Sequence, residues 1–141
     1  NAGLIVGDYK ETKQGFECQI GVNHIGHFYL THCLIENILA ADKPRVVNVS
    51  SAIHYQGKID FESFKEDKGD YSAMTAYAQS KLANVLFTKG LAKRYSKIMT
   101  NTLHPGVVGT GFGAGDVKWY LKAAWKMMMP FLKENLIWPM H

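Results

Sequence analysis

Cysteine is scarce in this sequence, and long apolar runs are missing. Cys18 and Cys33 are the only cysteines among 141 residues, and they lack the Cys-x-x-Cys spacing of a zinc site. So few cysteines exclude a disulfide framework and favour a reducing, intracellular compartment. No apolar stretch approaches the ~20 residues that span a bilayer, and the first residues lack the basic-then-apolar pattern of a signal peptide.

A large excess of charge of one sign is also missing. Sixteen Lys and Arg face twelve Asp and Glu, giving a formal charge of +4, and the basic residues are scattered, so nucleic acid is not an expected partner. An apolar fraction of 47% fits one globular domain over residues 1–141. The sequence starts without Met, on what we predict to be the end of a strand. We therefore expect a partial domain, truncated at its N-terminus.

Alternating strand and helix patterns follow along the chain. Apolar residues recur at helical spacing over residues 11–39 and 76–95, and short β-branched or strand-like runs lie at 46–49 and 100–104. Residues 54–75 show no sustained period, which predicts a loop with one short helix around 61–66. This order predicts an α/β fold with an open parallel sheet.

The carboxyl ends of parallel strands are where such sheets bind ligands. Three polar or glycine-containing segments lie there: Asn1, Ala2 and Gly3; Ser50 and Ser51; and His104, Pro105 and Gly106. We expect them to converge on one edge of the sheet, facing the start of the helix over residues 76–95.

Tyr77 and Lys81 lie four residues apart on that helix, so their side chains share one face. A phenol has a pKa near 10, and a neighbouring ammonium favours its ionised form. Such a tyrosine could exchange a proton with an alcohol, while Ser51 could hold the substrate oxygen. An ordinary exposed pair is the alternative, because Tyr-x-x-x-Lys also occurs by chance.

The order of five motifs along the chain resembles that of the classical short-chain dehydrogenase/reductase family. These motifs are Asn-Ala-Gly, a helix Asn, a strand-end Ser, Tyr-x-x-x-Lys and Pro-Gly. The resemblance covers residues 1–112. Gly21-Val22-Asn23-His24-Ile25-Gly26-His27-Phe28 and Tyr77-Ala78-Gln79-Ser80-Lys81-Leu82-Ala83-Asn84 look like its retinol dehydrogenase-like branch. A Rossmann-like, doubly wound parallel sheet is the fold that this resemblance implies.

The resemblance also implies a role for each matching residue. Tyr77 would be the general acid/base, Lys81 would lower its pKa and hold the nicotinamide ribose, Ser51 would orient the substrate oxygen, and Asn23 would position a proton-relay water. Asn1, Ala2, Gly3, Pro105, Gly106 and Thr110 would line the cofactor cleft. The cofactor would be NADP, or else NAD, and the substrate a small apolar alcohol or carbonyl compound such as a retinoid, steroid or lipid aldehyde.

Two departures leave alternatives open. The long spacing from Ser51 to Tyr77, which looks like the insertion of that branch, keeps Ser50 as an alternative. The family's Gly-rich pyrophosphate turn has no counterpart ahead of Asn1. A catalytically silent fragment that acts only by association with a partner is therefore the competing hypothesis.

Two further patterns concern metals and membranes. His24, His27 and His32 share a predicted helix, and the spacing of His24 and His27 suits two metal ligands. No acidic or Cys third ligand is obvious, so we expect no metal. Residues 116–141 combine Lys118, Lys122 and Lys126 with clustered Trp and Met, which suits a lid over the substrate or a segment lying on a membrane such as the endoplasmic reticulum. Peripheral membrane contact and a homo-oligomer are both open alternatives.

Overall fold

The structure, a computed structural model, describes residues 2–65 and 69–106. In these residues the chain forms the helices α1 (Cys18–Ile20), α2 (Gly26–Cys33), α3 (Ile35–Ala40) and α4 (Ala73–Arg94), and the strands β1 (Arg45–Val49) and β2 (Met99–Leu103). A π-helical segment, Gly21–Ile25, joins α1 to α2. Two 3₁₀ helices, Ala52–Gln56 and Glu62–Phe64, lie between β1 and α4.

The two strands pair in parallel, in a register that runs from Arg45 opposite Met99 to Val49 opposite Leu103. Parallel neighbours need a long crossover, and α4 supplies it while packing against both strands. Asn48 ties this unit together by donating from its side-chain amide to the Thr88 hydroxyl at 2.8 Å. The predicted parallel α/β arrangement is thus confirmed, and both strands lie within one residue of their predicted positions.

The first helix starts later than the sequence pattern predicts, at Cys18 instead of Glu11. Gly15 has a φ of 76°, a left-handed conformation that a helix cannot include. The buried Glu17 carboxylate then accepts hydrogen bonds from the backbone N–H groups of Gln19 and Ile20, which are unpaired donors at a helix N-terminus. The helix also breaks at Leu34, between α2 and α3.

The described residues 2–6 lie in neither strand, and Asn1, the expected end of a strand, lies outside the described residues. The backbone of Leu4 pairs instead with a side chain: its N–H donates to Asn23 Oδ1 at 2.8 Å, and its carbonyl accepts from Asn23 Nδ2 at 2.9 Å. A side chain of the π-helical segment therefore pairs with both hydrogen-bonding groups of the Leu4 backbone.

Residues 52–65 pack along the outer side of α4. Gly57 lies so close to the helix that a Cβ atom there would meet the Ala78 carbonyl oxygen at 2.6 Å. The Asp60 N–H donates to Gln79 Oε1 at 2.7 Å, and Gln79 Nε2 donates to the Ser63 hydroxyl at 2.9 Å. Residues 52–65 of the predicted loop are therefore held against α4, and we call them the strap. The second 3₁₀ helix of the strap lies near the position predicted for a short helix.

The core of the described residues is small and unusually polar around α4. Its buried apolar side chains are those of Ile20, Ala73, Tyr77, Ala78, Ala83, Leu91 and Ile98. Gln19, Asn23, Ser80 and Asn84 are the largest polar side chains that are almost completely buried. Helix α4 consequently packs against the first helical segment, which consists of α1 and the π-helical residues Gly21–Ile25, through hydrogen bonds as well as apolar contact. None of the described helices combines the length and the apolar character needed to cross a membrane.

Candidate active site

Tyr77 and Lys81 occupy one face of the N-terminal half of α4, and both are about 95% buried. The helix begins after Ser72, whose hydroxyl accepts from the Thr75 N–H, a capping bond that fixes the first turn. The Lys81 ammonium lies 5.6 Å from the centre of the Tyr77 ring. The i,i+4 spacing thus places the two side chains in contact, as the sequence predicts.

Ser51 joins this pair from the end of β1. Its side chain hydrogen-bonds with Tyr77, and its hydroxyl oxygen also lies 3.5 Å from the Ile53 N–H. Ser50 faces elsewhere: it is buried, and its hydroxyl donates to the Lys81 backbone carbonyl at 2.8 Å. Of the two serines that the sequence leaves open, Ser51 is the one that contacts the phenol.

Burial dominates the electrostatics of the pair. It raises the pKa of the Tyr77 phenol, and the hydrogen bond from Ser51 offsets part of that rise. It also lowers the pKa of the Lys81 ammonium, which donates to the Val49 carbonyl at 3.4 Å. The expectation from the resemblance is a Tyr77 pKa lowered by Lys81, whereas here desolvation raises the pKa and the opposing contribution comes from Ser51.

Asn23 lies in the π-helical segment with no exposed surface. Its side chain holds Leu4 on one side and donates to the Ser80 hydroxyl at 3.1 Å on the other. Its backbone carbonyl accepts from Asn84 Nδ2 at 2.9 Å and lies 3.0 Å from His27 Nδ1. The side chain therefore fastens residues 2–6 to α4, and a role in positioning a water stays a prediction.

The predicted cofactor-lining residues lie at the edges of this group. The Ala2 N–H donates to His27 Nε2 at 3.2 Å, and Gly3 follows it as an exposed residue. Pro105 and Gly106 are exposed just after β2. Since Val49 pairs with Leu103, these two residues follow the strand end that neighbours Ser51. Asn1 and Thr110 lie outside the described residues.

Several buried polar residues of α4 are absent from the sequence predictions. Ser80, Asn84 and Thr88 are buried at intervals of four along α4. They form a stripe of polar residues on a helix that the sequence predicts from its apolar residues alone. This spacing is the signal that could have identified them.

A second buried group secures the start of α4. The Tyr71 hydroxyl donates to Glu17 Oε1 at 2.9 Å and accepts from Gln19 Nε2 at 2.8 Å. Gln19 also donates to the Ala73 carbonyl. Burial is the main cause of a strongly raised pKa at Tyr71, so the phenol stays protonated and can donate to the carboxylate.

Two of the three histidines considered as metal ligands make other contacts. His24 Nδ1 lies 3.0 Å from Asn84 Oδ1, and both ring nitrogens of His27 face protein groups. No three His, Cys, Asp or Glu side chains in the described part of the chain come together as a metal site would require.

Comparison with known proteins places this geometry in a family. The model of the short chain dehydrogenase family matches residues 1–121. Human retinol dehydrogenase 12 is 44% identical over 135 residues, which is 94% of this chain and 42% of the relative. Human retinol dehydrogenase 13 is 45% identical over 80% of this chain and 35% of its own length. The chain thus spans less than half the length of these relatives.

Solved structures show the same fold. A Mycobacterium paratuberculosis protein of uncharacterised activity superposes with a TM-score of 0.67 at 40% identity, over 81% of this chain and 42% of its own. A Shigella flexneri short chain dehydrogenase solved with NADP superposes with a TM-score of 0.53 at 25% identity, over 74% and 40% of the two chains. The Rossmann-like fold class predicted from the sequence is confirmed. The chain belongs to the short chain dehydrogenase family.

Proposed function

We propose that this chain carries the proton-transfer half of a nicotinamide-dependent oxidoreductase that interconverts an apolar alcohol and its carbonyl compound. The observation that supports the proposal most is the contact of Tyr77 with both Ser51 and Lys81 at the carboxyl edge of the sheet. A hydroxyl, a phenol and an ammonium are the groups needed to hold a substrate oxygen and to move its proton.

In the direction of reduction, Tyr77 donates its proton to the carbonyl oxygen while Ser51 holds that oxygen by a hydrogen bond. In the direction of oxidation, the Tyr77 phenolate removes the hydroxyl proton from the alcohol. A bound nicotinamide would supply or accept the hydride at the substrate carbon. Burial raises the pKa of the phenol, so at neutral pH Tyr77 holds the proton that carbonyl reduction requires.

The described residues fit a nicotinamide nucleotide at this edge. Lys81 makes one side-chain hydrogen bond among the described residues, and that bond is long at 3.4 Å. Its remaining donors can serve ribose hydroxyls. Ala2 and Gly3, and Pro105 and Gly106 after β2, are exposed. NADP is the proposed cofactor, with NAD as the alternative, because the Shigella flexneri relative was solved with NADP.

The proposed substrate class is a retinoid, with steroids and lipid aldehydes as alternatives. Support comes from the names of the relatives, retinol dehydrogenases 12 and 13, which are 44% and 45% identical to this chain. Residues 116–141 lie outside the described residues, and their role as a lid or as a segment on a membrane such as the endoplasmic reticulum stays a prediction. Liposome co-sedimentation, with Lys118, Lys122 and Lys126 changed to Glu, tests the membrane contact.

A silent, partner-binding chain is the second candidate function. Val47, Met99 and Leu103 are strand residues that expose about half of their surface in the described part of the chain, with 54%, 57% and 45% exposed. Exposed apolar strand residues favour association with another chain, a second copy included. Cofactor titration and turnover on the 141-residue chain decide between the two candidates: tight NADPH binding with turnover supports the enzyme, and self-association without either supports the alternative.

Tyr77→Phe tests the enzyme proposal directly in a preparation that turns over. The substitution removes only the ionisable hydroxyl, so we expect a loss of at least ~100-fold in kcat with NADPH binding preserved. Leu86→Ala, at an exposed residue of the same helix, controls for general effects on α4. Turnover like that of the wild type in Tyr77→Phe would refute the role of Tyr77.

A further inference from the structure

Asn84 connects three parts of the site from one buried position on α4. Its amide nitrogen donates to the Asn23 carbonyl at 2.9 Å and to the Val49 carbonyl at 3.2 Å. Its amide oxygen lies 3.0 Å from His24 Nδ1. The side chain is 2% exposed, so no bulk water competes for these bonds.

The two carbonyls fix the orientation of this amide, and the amide in turn fixes the tautomer of His24. Both carbonyls can only accept, so the NH₂ group of Asn84 must face them and its oxygen must face His24. The imidazole must therefore carry its proton on Nδ1 and donate it to Asn84. Phe28 and Phe87 flank the ring, with centroids 6.2 and 6.0 Å away, and keep it in place.

Asn84 and Lys81 share an acceptor. The Val49 carbonyl receives both the Asn84 amide at 3.2 Å and the Lys81 ammonium at 3.4 Å. A carbonyl has two lone pairs, so these two donors fill it. The ammonium is consequently held loosely there while it lies over the Tyr77 ring.

We propose that Asn84 is a positioning residue. By donating to one of the two lone pairs of the Val49 carbonyl oxygen, it keeps the Lys81 ammonium beside Tyr77 and prevents that ammonium from binding tightly to β1. The inference rests on the proposed function of Tyr77 and Lys81. His24 contributes indirectly: its hydrogen bond to the Asn84 oxygen stabilises the amide in the orientation that donates to both carbonyls.

Asn84→Ala should move the pH dependence of catalysis. Without the amide, Lys81 can shorten its bond to Val49 and withdraw from the phenol. Shortening that bond from 3.4 Å to an ordinary length of about 2.8 Å moves the ammonium by about 0.6 Å. This movement weakens the stabilisation of the phenolate enough to shift the limb assigned to Tyr77 in kcat/KM for alcohol oxidation by about 0.2 pH unit toward alkaline pH. The KM for cofactor should rise several-fold, because the ribose loses the same ammonium. Within residues 2–65 and 69–106, His27 on α2 is a further titratable group that interacts with Lys81, and His27→Gln measured in parallel identifies its contribution.

Thr88→Val is the matched control. Thr88 is buried one turn later on α4 and also joins the helix to β1, through Asn48. Its hydroxyl donates to the backbone carbonyl of Asn84 at 2.9 Å, not to the side-chain amide that binds Val49. We expect a loss of stability without a shift of the pH profile. His24→Phe is the milder second variant if Asn84→Ala folds poorly: it keeps a ring between Phe28 and Phe87 and should give a smaller shift in the same direction.

A measurement that needs no turnover separates the inference from the proposed function. The ¹⁵N resonances of the imidazole at neutral pH should show His24 protonated on Nδ1 in the wild type, and this tautomer should be lost in Asn84→Ala. A wild type without turnover that keeps this signature would overturn the proposed function and leave the Asn84 contacts supported. An active wild type whose pH profile and cofactor KM are unchanged by Asn84→Ala would overturn the inference, as would a His24 protonated on Nε2.

Discussion

Replacing Asn23 by Ala tests how residues 2–6 are attached to the rest of the molecule. The Asn23 amide is the partner of both hydrogen-bonding groups of the Leu4 backbone and also donates to Ser80. The substitution removes all three bonds at a site with no exposed surface. The segment must then either keep its place with unpaired groups or leave the helix.

The loss in the free energy of unfolding caused by Asn23→Ala is set by whichever of these two outcomes costs less free energy. An unpaired buried backbone group costs about 1–3 kcal/mol, so two such groups at Leu4 would cost roughly 2–6 kcal/mol if the segment stayed in place. Leu4 is only half-buried, so detachment lets water satisfy both groups and limits the loss. We expect a loss in the free energy of unfolding of about 2–4 kcal/mol, together with local release of residues 2–6.

Amide hydrogen exchange distinguishes this explanation from general destabilisation. The Leu4 N–H should lose its protection in Asn23→Ala but keep most of it in Asn23→Asp, whose carboxylate can still accept that bond. Asn101→Ala, at an exposed residue of β2, is the control and should change stability by less than about 0.5 kcal/mol. Unchanged Leu4 protection in Asn23→Ala would refute the attachment.

Other substitutions test the strap and the buried histidines. Gly57→Ala should lower the free energy of unfolding by about 1–3 kcal/mol in urea titrations, because the added Cβ would lie 2.6 Å from the Ala78 carbonyl oxygen. Gly90→Ala, where no atom lies within 4 Å of the added Cβ, should raise it by about 0.5–1 kcal/mol in the same titrations. Burial lowers the pKa of His24 and His27 from 6.5, so the unfolded chain binds more protons in acid. The free energy of unfolding should therefore fall as the pH drops below about 6.5, and His24→Phe should flatten that decline. An identical slope in the variant would contradict the burial of His24.

The elements that the sequence predicts best are those specified by local pattern. The β-branched run at Val46, Val47 and Val49 marks β1, and the 3.6-residue period marks α4 to within three residues of each end. The pairing of Tyr77 with Lys81 follows from the same period. Each of these features depends on residues close together in the chain, so no tertiary contact is needed to predict it.

Features that depend on distant contacts are the ones that the sequence predicts poorly. The start of the first helix is set by Glu17, whose N–H donates to the Phe64 carbonyl and whose carboxylate accepts from Tyr71, 54 residues away. The choice between Ser50 and Ser51 depends likewise on where α4 crosses β1. Adjacent residues leaving a strand point in opposite directions, so only the position of the helix decides which serine meets the phenol.

The polar contact between α4 and the first helical segment explains how the site keeps its geometry. Apolar side chains tolerate small slides of one helix along another, because contact area changes little with position. The hydrogen bonds from Asn23 to Ser80 and from Asn84 to Asn23 would both break if α4 slid by one residue, about 1.5 Å. Buried donors and acceptors would then be left unpaired, a cost that excludes the shifted arrangement. These bonds lie between Tyr77 and Thr88 on α4, and Asn84 also donates to the Val49 carbonyl of β1. The same polar contacts therefore hold the part of α4 that carries Tyr77 and Lys81 against both the π-helical segment and β1.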